Sequence, residues 1–349
     1  MENKTMQRWL WPVVAVMIGC VWSVGAAECA VWECAESASV VDPYPAPNVT
    51  QLVPDTALMA DRDYYRVVDG QSLNFHDAPG GAVTGSWKAG DNFVTVYEVQ
   101  GDWGRTGPGQ WIRMAQVNKQ NVVISRFTGL KLDGPQEYPI AWSLVNQYAS
   151  PEPGANPSES RPFLYRYTYH HIYETVQDAE GYNWYKLGED MWVHQFRVSV
   201  HAPISRPEDV DTERWVAIDL YEQVLTAYEG NTPVFTTLVS TGLPWWSTNE
   251  GVFNVTWMDQ RDDMTQDLPD DFYYIQEVPW TAFFDGGIAL HGTFWHDGFG
   301  YPQSHGCVNM SITDAHWLYK FIDDEFDFAQ PVNGGASVYV YTTDPAQTG

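Results

Sequence analysis

The chain has 349 residues, 44% hydrophobic and 15% aromatic, which is enough apolar surface for two or three packed domains and too much for a disordered protein. A formal charge of -27 removes nucleic acid and anionic lipid from the candidate partners, since either would need a basic patch to displace counterions. An acidic surface facing water is the simplest reading of that charge.

Lys4 and Arg8 precede the apolar run "WLWPVVAVMIGCVWSVGAA", which has the form of a secretory signal over residues 1–27, with small residues suited to cleavage near Ala26 or Ala27. A retained N-terminal anchor and a lipoprotein signal acylated on Cys20 in "MIGC" are the alternatives. Each predicts an exported protein of the cell envelope or wall. In that compartment cysteines are paired, lipidated or functional. Cys29 and Cys34 are close enough to pair, which leaves Cys307 as an odd thiol. Residues 28–60, rich in Pro and small residues without a sustained period, read as a linker.

Short apolar alternations broken by turn residues fill residues 61–119 and predict a small barrel or sandwich. The order "LNF", "DAPG", "FVTVYEV", Trp103 and Trp111 resembles bacterial SH3-like modules, a resemblance that implies contact with the cell wall. "WGRTGPGQWIRMAQV" and "WYKLGEDMWVHQFRV" share a Trp-x7-Trp spacing, so residues 120–210 are expected to hold a second, divergent SH3-like unit with the Pro-rich loop "SPEPGANPSESRP". His170 and His171 are adjacent in a strand-like stretch, face opposite ways, and make a poor metal site.

A third unit spans residues 213–343. "RWVAIDLYEQVLTAYEGNTPVFTTLVSTG" alternates Val216, Ile218 and Leu220 on one face and turns twice, which predicts a β-meander. "SITDAHWLYKFIDDEF" places Ala315, Leu318, Tyr319 and Ile322 at helical spacing, with Ser311 and Asp314 as a cap.

Between meander and helix lies "HGTFWHDGFGYPQSHGCVNM", with three of the nine histidines and Cys307. A zinc site of His291, His296, His305 and Cys307 matches no compact ligand spacing. A cysteine nucleophile fits better: a free thiol is mostly protonated at neutral pH, and an adjacent imidazole, His291 or His305, can take its proton. Gly306 lets the backbone come close to a substrate, so the Gly306 and Cys307 N–H groups are candidate oxyanion donors.

The residues His291-Gly292, Ser304-His305-Gly306-Cys307 and Asn309 resemble the signature of the L,D-transpeptidase (YkuD-type) catalytic domain. That resemblance implies Cys307 as the nucleophile toward a peptidoglycan stem tetrapeptide and His291 as the general base, oriented by the Gly292 carbonyl. It implies that His305 orders the catalytic loop or assists proton transfer, and that Ser304 and Asn309 hydrogen-bond within that loop and are candidates for binding substrate. It calls for neither cofactor nor metal. Trp280, Phe283, Phe284 and Trp295 are candidates for lining the donor channel, with core packing the alternative for each. His296 and Asp297 read as loop residues.

The expected architecture is therefore mainly β: one or two small SH3-like barrels, then a β-rich catalytic domain with a short helix after Cys307. The expected activity is 3→3 cross-linking of peptidoglycan through a cysteine thioester. The alternatives are an L,D-carboxypeptidase that passes the acyl group to water and a non-catalytic wall-binding scaffold.

Overall fold

A computed structural model describes residues 42–269, 271–324, 326 and 335–345. The signal segment, Cys20, Cys29 and Cys34 lie outside the described residues. The unit Pro43–Gly349 is mainly β.

Its first sheet is built on the expected meander, Arg214–Asp219, Val224–Glu229 and Thr232–Leu238. Alternation sends Val216, Ile218, Leu225 and Ala227 into the main core. The opposite face is covered too, where Trp215 stacks on Tyr228 at 4.1 Å between ring centres. Ser337–Tyr341 adds to Arg214–Asp219 in parallel, and Gly251–Asn254 lies beyond it.

The other edge corrects the expected linker. Leu130–Leu132 pairs with the meander, and Val49–Gln51 pairs with Leu130–Leu132, so part of residues 28–60 and part of 120–210 belong to this sheet. Asp55 then caps the short helix Thr56–Met59, and its own N–H donates to Thr313 Oγ1 at 3.0 Å. A composition rich in turn formers hid these pairings, because three-residue strands carry too few residues to show a period.

Helix Ile312–Asp323 begins where the cap predicts: Ser311 Oγ accepts from the Asp314 N–H at 3.1 Å. Ala315, Leu318, Tyr319 and Ile322 form its buried stripe. The Asp314 carboxylate accepts from the Gly129 N–H at 2.9 and 3.0 Å and from Thr237 Oγ1 at 2.7 Å, fastening the helix start to the first sheet.

The second sheet holds the histidine–cysteine segment. Val308–Met310 runs parallel to Ile288–Gly292, which pairs with Asp271–Asp285, one arm of a long hairpin whose other arm is Trp257–Leu268. The inner arm continues into residues 61–119: Ile275 pairs with Phe93, and Phe93–Thr95 pairs with Tyr64–Val67. Trp87 stacks on Tyr274 at 4.1 Å, and the Asp91 N–H donates to the Phe272 carbonyl at 3.1 Å. Residues 61–119 are thus built into the second sheet, where they cover a strand edge that would otherwise be open.

The two Trp-x7-Trp segments take the same local form. Trp103–Gly107 with Gln110–Arg113, and Asn183–Gly188 with Met191–His194, are hairpins, each followed by a 3₁₀ turn and a short strand.

Candidate active site

Cys307 sits on the turn that leads into Val308–Met310. Gly306 there has φ +116°, a conformation L side chains rarely adopt, and a Cβ on it would come within 3.3 Å of Ile288 Cδ1. Side chains pin the turn. Ser304 Oγ accepts from the Gly306 N–H at 3.0 Å and donates to the Cys307 carbonyl, while Thr248 Oγ1 donates to the Gly306 carbonyl at 2.7 Å. Ser304 itself is held by the 241–243 loop: its N–H donates to the Thr241 carbonyl at 3.1 Å, and its carbonyl accepts from the Leu243 N–H at 2.9 Å.

These bonds change one expectation: Ser304 hydrogen-bonds within the loop, and in doing so it takes up the Gly306 N–H, which was expected to face an oxyanion. Among the described residues the Cys307 N–H makes no protein hydrogen bond and is the donor left for a developing oxyanion.

The Cys307 thiol is half-buried, accepts from the Ala289 N–H at 3.5 Å and lies 3.7 Å from the Gly287 carbonyl. Burial pushes it up to about 11. His291 is buried on the neighbouring strand. Its Nδ1–H donates to the Gly292 carbonyl at 3.1 Å, which leaves the Nε2 lone pair bare, and burial lowers its pKa to about 4. Both side chains line one cavity of about 270 Å³. At neutral pH the resting pair is therefore a neutral thiol and a neutral imidazole.

His305 lines the same cavity but is engaged with another partner. Its Nε2 is 2.9 Å from Asp271 Oδ2 on the long hairpin, and its ring packs near Tyr273 and Trp246 at 5.2 and 5.3 Å. Tyr273 also lines the cavity, its hydroxyl raised to about 12 first by burial, then by Cys307 and Asp271. Met264 and Ile275 complete the hairpin's wall, and Asp91 reaches the cavity from residues 61–119. Asp271, Tyr273, Met264, Ile275 and Asp91 were not legible as site residues, because the sequence gives no sign that the hairpin and residues 61–119 reach the cavity of Cys307.

Of the four aromatic candidates, Trp295 lines the cavity. Trp280 turns to the helix, 4.3 Å from the His316 ring and 5.4 Å from Tyr319. Phe284 is 3% exposed in the main core, and Phe283 lies in the hairpin strand away from the cavity lining. His296, read as a loop residue, stands in the cavity, 2.8 Å from the Asn309 side-chain amide.

A thiol and an imidazole with a bare nitrogen at one cavity, with an unbonded backbone N–H on the cysteine itself, are parts that acyl transfer can use. Residues 213–340 match the family model of the YkuD L,D-transpeptidase catalytic domain, which takes in the meander, the long hairpin, the histidine–cysteine segment and the helix. This part of the chain carries an L,D-transpeptidase catalytic domain. No curated protein matches the chain.

Solved structures with similarity include a mutant of the Enterococcus faecium L,D-transpeptidase, at 20% identity over 41% of this chain and 55% of that one, with a TM-score of 0.33. The L,D-transpeptidase from Stackebrandtia nassauensis is 24% identical over 40% of this chain and 62% of that one, with a TM-score of 0.29. That from Xylanimonas cellulosilytica is 26% identical over 39% and 64%, with a TM-score of 0.28. The chain spans a little over half the length of the Enterococcus structure.

Proposed function

We propose that the protein is an exported L,D-transpeptidase that forms 3→3 cross-links between peptidoglycan stem peptides, with Cys307 as nucleophile and His291 as general base. The observation that carries this reading is the shared cavity of Cys307 and His291, with His291 Nδ1 tied to the Gly292 carbonyl so that Nε2 is the unprotonated nitrogen.

In the first half-reaction Sγ attacks the carbonyl carbon of the third residue of a stem tetrapeptide, and the thiol proton passes to His291 Nε2. Because the thiol is raised and the imidazole lowered, this proton moves together with C–S bond formation rather than ahead of it. The oxyanion is met by the Cys307 N–H. Collapse breaks the C–N bond, His291 returns the proton to the departing D-Ala amine, and a thioester remains. In the second half-reaction an acceptor amine attacks the thioester, loses a proton to His291, and releases the Cys307 thiol. The 61–119 and 120–210 units are the candidates for contact with the wall, and export rests on the N-terminal segment.

The deciding experiment is mass spectrometry of the full chain with disaccharide-tetrapeptides, beside Cys307→Ala. Cysteine-dependent loss of D-Ala with dimer formation is expected. Tripeptide without dimer would instead make the protein a hydrolase, and no change with either enzyme would leave a wall-binding scaffold.

A further inference from the structure

A groove of about 480 Å³, larger than the catalytic cavity, lies where residues 120–210 meet the segment that leads to Cys307. The second Trp-x7-Trp hairpin and the turn after it contribute Trp184, Trp192, Phe196 and Arg197. The Pro-rich loop contributes Asn156, and the catalytic segment contributes Tyr301, three residues before Ser304.

Each wall is fastened. Ser150 and Trp192 exchange backbone hydrogen bonds of 2.8 and 2.9 Å, which seats the Pro-rich loop on the hairpin. The Gly300 N–H donates to the Val239 carbonyl at 2.9 Å, and a Cβ on Gly300, at φ +91°, would meet Leu144 Cδ2 at 2.3 Å, so the chain entering Tyr301 lies directly against residues 120–210. In the 3₁₀ turn Gln195–Arg197, His194 Nδ1 accepts from the Phe196 N–H at 3.2 Å and Gln195 Nε2 donates to the Tyr221 hydroxyl at 2.8 Å.

The repeat supplies an internal comparison. Counted from the first Trp of each hairpin, Phe196 and Arg197 correspond to Ala115 and Gln116, which occupy the same 3₁₀ turn in the first unit. The fold therefore requires neither an aromatic ring nor a guanidinium at these places. Phe196 is nonetheless 56% exposed and Tyr301 40%, the apolar exposure of a ligand face rather than a core. The Phe196 ring is steadied by Tyr182 and His194, at 5.0 and 4.9 Å between ring centres.

Charge narrows the ligand class. The chain has 45 Asp and Glu against 18 Lys and Arg, yet no carboxylate lines this groove, whereas Asp91 and Asp271 line the catalytic cavity. Asp178, bonded to Trp184 Nε1 at 3.0 Å, stays out of the lining. Arg197 is the one Lys or Arg present, too little for a polyanion. Asn156 and Arg197 are exposed and their side chains make no hydrogen bond or ion pair among the described residues, so both can donate to a ligand. Aromatic rings beside a few free donors suit a pyranose, which offers a face of C–H bonds to a ring and a rim of oxygens to N–H groups.

We propose that this groove binds a neutral saccharide, with pyranose rings packed against Phe196 and Tyr301 and hydroxyl or acetamide oxygens accepting from Arg197 and Asn156. It gives the wall contact proposed for residues 120–210 a ligand class, and rests on that reading for the source of the saccharide.

The full chain, titrated by ligand-observed NMR with the tetrasaccharide of N-acetylglucosamine and separately with stem tetrapeptide, tests it. Saccharide binding is expected, weakened about fivefold or more by Phe196→Ala and by Tyr301→Ala at unchanged melting temperature, the scale of one lost aromatic stack. Gln116→Ala, at the matching place in the first unit, should leave it intact, and affinity should change by less than about twofold between low and high salt, because the ligand is uncharged. Cys307→Ala should bind as wild type does, so a chain that proves inactive as a transpeptidase would still show the groove. Steep salt dependence would assign the groove to an anion. Tetrapeptide binding that Phe196→Ala abolishes, without saccharide binding, would assign it to the peptide. No saccharide binding, or equal losses in Gln116→Ala and Phe196→Ala, would overturn the site.

Discussion

At the scale of single residues, the site's acid–base character comes from burial more than from charge pairing. A thiolate–imidazolium pair would need an environment that favours both charges, whereas burial here disfavours both, raising Cys307 to about 11 and lowering His291 to about 4. Alkylation of Cys307 by iodoacetamide in the absence of substrate should therefore be slow at pH 7 and climb steadily toward pH 10. A rate already at its plateau by pH 7 would mean a preformed ion pair. His291→Ala should cut acylation by about 10²–10⁴-fold, the range typical of a lost general base, and His305→Ala by much less, because His305 is engaged with Asp271. The reverse order would move the base to His305. The same burial acts on stability. His201, His291 and His296 all have folded pKa values near 4, below the ordinary 6.5. Their neutral forms thus favour the folded state in full above about pH 6.5, and that contribution is lost as pH falls toward 4, where the unfolded chain takes up protons first. Asp314 and Glu222 run the other way, since burial raises them to about 6 and about 8 and their contributions are lost as pH rises through those values. Between pH 7 and pH 4 the melting temperature of His201→Phe should fall less, or rise more, than that of the wild type, because one buried neutral imidazole has been removed; parallel profiles would remove His201 as a contributor.

Among the elements, those with a regular period were legible and those without one were not. The meander and the helix Ile312–Asp323 were read correctly because alternation and 3.6-residue spacing record which face is buried. The signature also marked Cys307 and His291, since its chemistry depends on residue type and spacing. The long hairpin left no such record. Its outer arm Trp257–Leu268 is largely exposed and so has no apolar alternation, and its inner arm contains Glu277 and Trp280 at φ +53° and +58°, where counting odd and even positions no longer tells which way a side chain points. That is why Trp280, Phe283 and Phe284 were candidates beside Trp295, although only Trp295 meets the cavity. The difference is measurable. Phe284→Ala should cost about 3–5 kcal/mol of stability as a core truncation, with KM unchanged in whatever fraction folds. Trp295→Ala should raise KM for the tetrapeptide while costing less stability. If Phe284→Ala raised KM at full stability, the hairpin would have to turn its other face to the substrate.

On the scale of the whole molecule, sequence composition divides the chain into modules that the hydrogen bonds do not respect. Residues 61–119 have a core of their own, including Val67, Leu73, Val94 and Ile112, which is why they read as a separate unit. Yet their strand Phe93–Thr95 continues the sheet that carries His291, the Thr95 N–H donates to Gln276 Oε1 at 3.0 Å, and Tyr64 stacks on Phe294 at 3.5 Å, two residues before His296. Asp91, on the same unit, lines the cavity itself. If the unit served only to hold the enzyme on the wall, removing it would weaken retention and leave the chemistry intact. The shared sheet argues for a different result: a chain lacking residues 61–119 should lose turnover of soluble tetrapeptide as well, because the hairpin would keep an open edge and the cavity would lose a wall. Misfolding of the truncated chain would give the same loss, so a point variant is needed beside it. Asp91→Ala leaves the strand pairing in place, removes only an exposed ion pair with Arg66 at 3.0 Å and should nearly retain the wild-type melting temperature, yet raise KM for tetrapeptide by about two- to fivefold, the modest effect of an exposed charge. Unchanged KM in Asp91→Ala together with full turnover by the truncated chain would return residues 61–119 to the role of an appended module. A raised KM in the first and lost turnover in the second would make them a working part of the active site.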